Sequence, residues 1–524
     1  MNSIEQDTDI VDDIQILEKE KTRDKDDLFN PVESRQTERE IHEPEFSIFG
    51  PHERMVLILI LSLVGFWSTA SSPIYFPALP TLTAYFHTTP SVMNLSVVAY
   101  LVFQGIAPTV SSNLADNFGR RPVILACILI FIAACIAISR TNVYWLLAVL
   151  RCVQAAGIGP VIAISSGVAG DVCTSADRGG FVGIVAGIQL LGNGMGGMVG
   201  AALINQFNSW RAIFIFLAIG AGATLIFSFF FLPETSRRIV GNGSIVPKHF
   251  ISKSALIYLP HFKKRINNDT TTLEPPTSFD FLSPFKIFFK KTVFLTLLPG
   301  GLHFAAWTVT LTCISTYLEQ EPYNYTVLQV GFVYLPQGLS CLVASILIGR
   351  TLNWYYRYSL KKYNDKYQDA LLKPRFNIFR ARMTVCIVPA VLMIIGLVIF
   401  GWCLHYHQHI ASIIVSSILI AMSSSSFIAA MTTMLVDMHP NNGSASTSCL
   451  NLMRCLQAAL FSGVLENMIA SMGLGGTFTL LAGLCIVLDL CLVYVVISVS
   501  KNLRETSALT TPVESDNEVD EVPE

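Results

Sequence analysis

The residues whose types and spacing suggest chemistry are Asp116 and Arg120, four positions apart in the short polar segment 113–121. A carboxylate and a guanidinium held this close in a rigid turn can form an ion pair. Asp171, at the end of a later apolar run, is expected beside them. Partly exposed ion pairs contribute only about 0–1 kcal/mol each. We therefore expect a network of these three residues that breaks and re-forms easily, as a latch would.

Four more charged residues lie inside long apolar runs: Arg151, Arg454, Glu466 and Asp489. Runs of about 20 apolar residues are candidates for transmembrane helices, in which a charge costs about 2.5–3.5 kcal/mol. Such residues are expected to face the interior of a helix bundle, where they line a cavity or handle protons. Gln154 follows Arg151 by three positions and shares its helix face.

Each of these residues also has a plainer interpretation. Arg151 can be a structural anchor for backbone carbonyl groups, Glu466 a solvated acid near a helix end, and Asp489 a tolerated polar residue. The segment 113–121 can be a turn whose arginines only fix the orientation of the chain. Both interpretations stay open at the level of sequence.

The composition places most of the chain in lipid. Of 524 residues, 52% are hydrophobic and 14% are charged, and the mean hydropathy is +0.53, whereas soluble domains carry about 25% charged residues. The net charge is −2 with no basic domain, so nothing supports nucleic-acid binding. The twelve cysteines lack zinc or redox spacing and the sequence contains no P-loop, so we expect neither a metal nor a cofactor.

The elements that must position these residues are twelve apolar runs, six on each side of a long polar stretch. They predict an all-α integral membrane protein with 12 transmembrane helices in two six-helix bundles, a pattern typical of secondary transporters. The expected parts are a disordered N-terminal tail at 1–50, a first bundle at 51–232, a linker at 233–292, a second bundle at 293–500 and an acidic C-terminal tail at 501–524.

The distribution of Lys and Arg predicts the orientation of the chain. Ten basic residues lie between Arg237 and Lys291 and nine more in 349–382, whereas three connections on the other side have none. Because basic residues concentrate on the cytoplasmic side, we expect the linker and both tails to be cytoplasmic. The turn 437–446 has no basic residue and is the exception.

The fifth apolar run carries glycines spaced mainly by four, among them Gly187, Gly192, Gly196 and Gly200. Small residues at this spacing let helices approach closely. We expect these glycines to form a nearly continuous groove on one side of the helix. The groove serves either as a smooth contact on which the two halves rock or as a static packing surface.

A substrate cavity is expected near the midplane, between the two bundles. Aromatic side chains with a few polar groups suit amphipathic or cationic aromatic solutes, because ring faces attract cations. Aromatic residues at helical spacing also pack in cores or face lipid. The candidates for the cavity wall are Tyr75, Tyr100, Gln104, His303, Phe304, Trp307, Tyr334 and Gln337.

Several motifs, in order along the chain, resemble one family. Residues 114–121, with Gly119 and Arg121, resemble the loop motif between the second and third helices of the major facilitator superfamily. Residues 146–159 are similar to its fourth-helix motif, and 187–197 to its fifth-helix antiporter motif. Similarity to fungal twelve-helix drug:proton antiporters of the quinidine-resistance and dityrosine-transporter branch rests on residues 72–80, 210–211, 232–235 and 237–243.

The resemblance implies a monomeric, proton-coupled transporter that exports small organic solutes by alternating access. It implies that Arg151 acts in proton transfer or coupling. Apart from the resemblance, the network of Asp116, Arg120 and Asp171 is expected to act as a gate at the cytoplasmic side. The expected partners are protons, the lipid bilayer and a small solute such as a drug, weak acid, polyamine or dityrosine-like metabolite. The plasma membrane is the first expectation, with a vacuolar or prospore membrane as the alternative.

Two other functions fit the same sequence. One is a proton-coupled symporter or facilitator for a nutrient, and the other is a receptor or scaffold on the same fold. Enzyme activity is not expected, because the sequence contains no cluster such as HExxH or a paired-acid site.

Overall fold

The computed structural model of the chain describes residues 47–255, 265–266, 273, 283–367, 376–438 and 443–509. The expected N-terminal tail lies outside the described residues up to position 46, and so does the acidic C-terminal tail beyond 509. The described residues form one compact unit. Within the described ranges it is built of helices and their connections.

The first half contains six spanning helices. They are α1 (Pro51–Ala70), α2 (Pro90–Phe118), α3 (Arg120–Arg140), α4 (Tyr144–Ile158 and Pro160–Val172), α5 (Ser175–Phe207) and α6 (Arg211–Phe231). A 3-10 turn at Pro73–Ala78 and a short helix at Leu79–Tyr85 continue α1. Proline has no backbone N–H and is tolerated at the start of a helix, so α4 is interrupted just before Pro160.

The second half follows the polar linker, in which short helices form at Arg237–Val240, Phe250–Ser252 and Ser283–Phe288. Its spanning helices are α7 (Lys291–Leu318), α8 (Val327–Lys366), α9 (Ile387–His405), α10 (Ile410–Met438), and α11 and α12, which share the stretch Gly443–Leu509. A short helix, Ile378–Met383, leads into α9.

The stretch Gly443–Leu509 contains two spans rather than one. An unbroken helix of 67 residues would be roughly 100 Å long at 1.5 Å per residue, about three times the hydrocarbon thickness of a bilayer. At Gly473 the backbone leaves the helix with φ 70° and ψ 174°, a conformation that glycine adopts without steric cost. The residues 443–472 form α11 and 474–509 form α12. The predicted all-α membrane fold with 12 spans is thereby confirmed.

The connection between α2 and α3 differs from the expected polar turn. Asp116 and Asn117 belong to the last helical turn of α2, and only Gly119 is non-helical, with φ 106° and ψ 152°. A positive φ is strained for residues with a side chain, so glycine permits the reversal within one residue. The acid and the arginines are therefore held by two helix ends, which fix their positions more firmly than a loop.

Two helix pairs make the most extensive contacts between the halves: α5 packs along α8, and α2 packs along α11. Glycines let α5 and α8 approach closely. A Cβ built on Gly338 of α8 would lie 2.9 Å from the Cα of Gly194 and 3.0 Å from the carbonyl oxygen of Leu191. Such distances require the backbones to move apart, so this contact depends on glycine.

The expectation that the α5 glycines form one groove is wrong. Gly187 faces α8, near Ser345, whereas Gly192, Gly196 and Gly200 face α1 and the turn that follows it. At 100° per residue, the five positions between Gly187 and Gly192 rotate the helix by about 140° beyond a full turn. One glycine face therefore packs within the first half, and the other, with Gly194, packs against the second half.

A substitution at Gly338 tests this contact. Gly338→Ala is expected to lower the free energy of unfolding by about 1–3 kcal/mol, because overpacking forces α5 and α8 apart. The matched control is Gly222→Ala on α6, where a Cβ would meet no atom within 4 Å. It should be neutral or stabilising by up to about 1 kcal/mol. Thermal unfolding midpoints of the two detergent-purified variants make the comparison, and equal shifts would contradict the packing account.

Candidate functional site

Arg120 joins three helices at the end of the bundle where α2 meets α3. We call this the linker end, because the linker follows α6 there. The Arg120 guanidinium pairs with Asp116 on α2, and its Nε lies 3.1 Å from Oδ2 of Asp171 on α4. It also donates to Oγ of Ser444 on α11 at 2.5 Å. The network expected from sequence is present and extends into the second half.

These ion pairs are buried, so the expectation of partly exposed pairs is wrong. The exposed fractions of the side chains are 6% for Arg120, 3% for Asp116 and 9% for Asp171. Removing one partner of a buried pair costs about 3–5 kcal/mol, because the remaining charge is left without compensation. The network is therefore a firm contact, and opening this end must supply water or new partners to all three charges.

Glu234, three residues beyond α6, caps the start of α3. Its carboxylate accepts hydrogen bonds from the backbone N–H groups of Arg120 at 2.8 Å, Arg121 at 3.2 Å, and Thr235 and Ser236 at 3.0 Å. The first N–H groups of a helix lack partners within it and attract negative charge. Burial raises the pKa of Glu234, and the four backbone donors act in the opposite direction. From sequence, Glu234 was noticed only as part of a family motif.

Arg121 anchors the end of α6 instead of joining the ion pairs. Its guanidinium donates to the carbonyl oxygens of Leu232 at 2.7 Å and Phe229 at 2.5 Å, and it lies 5.6 Å from the ring centroid of Phe229. Basic groups stabilise helix C-terminal ends in this way. Arg121 therefore ties α3 to α6 within the first half.

A second buried cluster crosses between the halves at the linker end. Asp437, at the end of α10, pairs with Arg178 at the start of α5 and with Arg382 before α9, whose Nε lies 2.8 Å from Oδ2. Arg382 also donates to the carbonyl oxygen of Ser175 at 2.6 Å. Sequence reasoning missed this cluster. The sequence offered one sign of it: the turn 437–446 carries Asp437 and no basic residue, although basic residues are expected on that side of the membrane.

Arg151 lies between two tyrosine rings in the interior of the first half. Its guanidinium carbon is 4.3 Å from the ring centroid of Tyr75 and 4.1 Å from that of Tyr100, and the residue has no exposed surface. Nη1 donates to Gln154 Oε1 at 2.8 Å and to the carbonyl oxygen of Ser71 at 3.2 Å. Nη2 and Nε have no acceptor among the described residues. The ring faces and two oxygens stabilise this charge without a carboxylate.

A small central cavity lies between α1, α4 and α5 of the first half and α10 and α11 of the second. Its polar lining comes from Thr69, Ser165, Ser166, Gln189, Thr432 and Arg454. The volume is about 30 Å³, which admits a water-sized molecule only. In this conformation the cavity therefore has no room for a solute, and a positively charged residue, Arg454, is part of its wall. Arg454 lies 11 residues from the start of α11, a depth of roughly 16 Å.

Arg454 is held by Asn451, whose Oδ1 accepts from Nε at 2.7 Å, and by the ring of Phe304, 4.7 Å away. Sequence reasoning missed Ser165, Ser166 and Gln189 as cavity residues. Serine carries little signal in an apolar run, because its hydroxyl also donates to its own helix backbone, as Ser165 and Ser166 do here.

The other cavity candidates are buried between helices in this conformation. Trp307 Nε1 donates to Gln337 Oε1 at 3.2 Å, and the Tyr334 hydroxyl donates to the carbonyl oxygen of Leu311 at 2.8 Å. Gln104 donates to the carbonyl oxygen of Ser68 at 3.3 Å. These residues pack the interior around the closed cavity.

His303 does not line the central cavity, contrary to expectation. Its Nε2 lies 3.3 Å from Oδ2 of Asp489 on α12, and its Nδ1 lies 3.4 Å from Oγ of Ser423 on α10. His303 is fully buried, and 13% of the Asp489 side chain is exposed. The two residues form a His–Asp pair within the second half, 186 positions apart in sequence.

Glu466 lies at the end of the bundle opposite the linker. It is exposed and accepts a hydrogen bond from Asn94 Nδ2 at 3.3 Å. This placement agrees with the interpretation of Glu466 as a solvated acid near a helix end.

Comparison with known proteins identifies relatives over most of the chain. Residues 58–363 match the model of the Major Facilitator Superfamily. The MFS antiporter QDR2 of Candida albicans is 64% identical over 471 residues, which cover 90% of this chain and 93% of that protein. The MFS antiporter QDR1 of the same species is 61% identical, covering 93% and 96%. Quinidine resistance protein 1 of Saccharomyces cerevisiae is 39% identical, covering 86% and 84%.

Solved structures have the same fold at low sequence identity. The proton:xylose symporter XylE aligns with a TM-score of 0.62 and 13% identity, covering 84% of this chain and 95% of that one. The human organic anion transporter MFSD10 aligns with a TM-score of 0.56 and 15% identity, covering 85% and 100%. Together with the family match and the relatives, the twelve-helix architecture leads to one conclusion: this chain is a multi-pass membrane protein and belongs to the Major Facilitator Superfamily.

Proposed function

We propose that this protein is a monomeric, proton-coupled antiporter that exports small organic solutes across the plasma membrane by alternating access. The observation that carries the proposal is the pairing of two buried ion-pair clusters, which close one end of the bundle, with a separate His–Asp pair in its interior. The names of relatives that are 61–64% identical support antiport. The excess of Lys and Arg in the linker supports a cytoplasmic linker end.

The linker end is the gate in this proposal. Arg120 contacts Ser444, and Arg178 and Arg382 share Asp437, so both clusters connect the first half with the second. Opening towards the cytoplasm separates these contacts. The free energy of these contacts between the halves therefore favours the conformation in which the linker end is closed.

Asp437→Asn tests the gate. It leaves Arg178 and Arg382 without a carboxylate and should destabilise the closed conformation by up to about 3–5 kcal/mol. Hydrogen–deuterium exchange of the protein in nanodiscs should become faster at the first turns of α5 and the last turns of α10.

The matched control is Asp177→Asn, because Asp177 pairs with Arg357 on the same face but both side chains are more than half exposed. Exposed pairs contribute about 0–1 kcal/mol, so exchange should hardly change. Equal exchange in the two variants would show that Asp437 does not hold the gate.

The proton site of the proposal is the His303–Asp489 pair. The Ser423 hydroxyl donates to the carbonyl oxygen of Pro389 and lies 3.4 Å from Nδ1 of His303. Nε2 of His303 and Oδ2 of Asp489 lie 3.3 Å apart, a distance that one proton shared between the two atoms bridges. The pair is therefore the place that we propose for one exchangeable proton.

Asp489→Asn is expected to lower transport driven by a pH gradient by about tenfold or more. Exchange of solute without a gradient should survive, because the substitution removes the proton site and leaves the central cavity intact. The measurement is uptake of labelled quinidine and of labelled benzoate into proteoliposomes, with and without a protonophore. Glu466→Gln, at the exposed opposite end, is the control. If Asp489→Asn still transports solute in response to a pH gradient, the His303–Asp489 pair is not the site of proton coupling.

The central cavity favours acids among the candidate solutes. Its charged wall residue is Arg454, and the other polar groups there are hydroxyls and an amide. A buried guanidinium attracts a carboxylate and repels an ammonium group. Hydrophobic weak acids are therefore a better match for this cavity than polyamines.

Arg454→Gln should weaken the binding of labelled benzoate to the purified protein by about tenfold, because charge-assisted hydrogen bonds contribute roughly 1.5–3 kcal/mol. Arg454→Lys keeps the charge and should retain part of the affinity. Arg350→Gln, on the exposed surface of α8, is the control. Unchanged benzoate binding in Arg454→Gln would argue against the acid-binding cavity.

A further inference from the structure

A groove of about 680 Å³ lies on the surface of the first half, between the end of α3 and the start of α6. It is at the end of the bundle opposite the linker. Its apolar walls are mainly isoleucines, of which Ile136, Ile215 and Ile219 are about half exposed or more. Exposed apolar side chains on a membrane-spanning bundle face lipid, so the groove opens towards the bilayer.

Two helical rows form the walls of the groove, and each row consists of an arginine at the helix end and two isoleucines at intervals of four positions. Residues four apart share one face of a helix. Because α3 ends where α6 begins, the rows run side by side from the arginines towards the middle of the membrane. Each row rises by roughly 12 Å, less than half of a hydrocarbon layer about 30 Å thick. The rows are Arg140, Ile136 and Ile132 on α3, and Arg211, Ile215 and Ile219 on α6.

The two arginines have no anionic partner in the structure. Arg140 is exposed, and no described residue forms a hydrogen bond or an ion pair with its side chain. Nη2 of Arg211 donates to Oδ1 of Asn142 at 2.7 Å and to the hydroxyl of Tyr85 at 3.0 Å, and its guanidinium carbon lies 4.5 Å from the ring centroid of Trp210. These uncharged partners hold Arg211 in place but leave its charge uncompensated.

The first half offers no carboxylate at this end. Glu466 of α11 lies at the same end, where it accepts from Asn94 of α2. A basic residue is favourable at the C-terminal end of a helix, which accounts for Arg140 but not for Arg211, the first residue of α6. An anion from outside the chain would compensate both. The acids of 51–232 are Glu53, Asp116, Asp171 and Asp177, all at the linker end.

We propose that this groove binds a phospholipid with an anionic headgroup, taken from the leaflet at this end. The phosphate accepts hydrogen bonds from Arg140 and Arg211, and one acyl chain lies between the two rows of isoleucines. Guanidinium groups suit phosphate because they can donate two parallel hydrogen bonds to its oxygens. Basic pockets between transmembrane helices bind lipid headgroups on the same principle.

Charge and shape together select this occupant. A soluble anion would compensate the arginines but leave the isoleucines uncovered, and a neutral lipid would do the reverse. An organic cation would be repelled by both guanidinium groups. An anionic phospholipid matches the polar end and the apolar length of the groove at once.

The site is independent of the proposed transport mechanism. Both of its helices belong to the first half and pack against each other, so a movement between the halves leaves the groove intact. The groove is also separate from the central cavity and from the His303–Asp489 pair. Binding of the lipid therefore does not depend on the direction or the coupling of transport.

The test uses the full-length protein in nanodiscs and two photoreactive lipids. One is phosphatidylglycerol with a diazirine in one acyl chain, and the other is phosphatidylcholine with the same chains. Both carry a phosphate, but the choline group adds a positive charge that the second arginine repels. After irradiation, mass spectrometry locates the labelled peptides. Phosphatidylglycerol is expected to label α3 and α6 several-fold more than phosphatidylcholine does.

Variants of the groove make the result specific. Arg140→Gln should reduce labelling by phosphatidylglycerol to the level of phosphatidylcholine, whereas Arg140→Lys keeps the charge and should retain part of it. Ile136→Trp fills the groove and leaves both arginines in place, so it should lower labelling by both lipids. Arg350→Gln, on the exposed surface of α8, should label like the wild type.

A second measurement shows that the variants are folded. Arg140 is exposed, so Arg140→Gln should keep the thermal unfolding midpoint of the wild type in nanodiscs of phosphatidylcholine alone. Adding phosphatidylglycerol should raise the midpoint of the wild type more than that of Arg140→Gln, because a ligand that binds the folded state stabilises it.

Three results would overturn the proposal. They are equal labelling of α3 and α6 by the two lipids in the wild type, undiminished phosphatidylglycerol labelling in Arg140→Gln, and displacement of the label by oleate but not by unlabelled phosphatidylglycerol. The last result would identify a free fatty acid as the occupant. Because labelling measures binding, none of these results depends on whether the protein exports a solute.

Discussion

A charged side chain inside a membrane-spanning bundle has to find its partners within the protein, because hydrocarbon offers none. This constraint organises the linker end. One cluster there places Arg120 between two carboxylates, and the other places Asp437 between two guanidinium groups. The first has one negative charge in excess and the second one positive charge, so together they are neutral. The first cluster reaches the second half through Ser444, and the second cluster itself includes residues of both halves. The closed linker end is the arrangement in which these charges are compensated.

The interior carries few charges, and each is stabilised differently. Arg151 is covered by tyrosine rings, Arg454 by Phe304 and Asn451, and Asp489 is paired with His303. The two arginines keep their positive charge, because a guanidinium does not release its proton in proteins. In the mechanism that we propose, the His303–Asp489 pair takes up the proton, so solute and proton bind at different places.

Helix α5 connects the two halves mechanically. One of its glycine faces packs on α1, and another packs on α8, where backbone atoms of Gly194 and Gly338 approach closely. The first turn of the same helix carries Arg178, which belongs to the second ion-pair cluster. Movement of α5 relative to α8 therefore changes the linker end and the central cavity together, since Gln189 of α5 lines that cavity.

Much of this architecture follows from run length and composition. Apolar stretches matched to bilayer thickness predict the twelve spans, and the cost of a charge in lipid predicts that Arg151 and Arg454 lie inside the bundle. The Arg120 network was also derivable, because its members flank neighbouring helix ends. Run length and composition could not predict Arg178 with Asp437, 259 positions apart, or His303 with Asp489, 186 positions apart. Those contacts, and the division of the α5 glycines between two faces, depend on which helix faces meet in the folded bundle. The pattern of residues within one helix does not show which helix will pack against it.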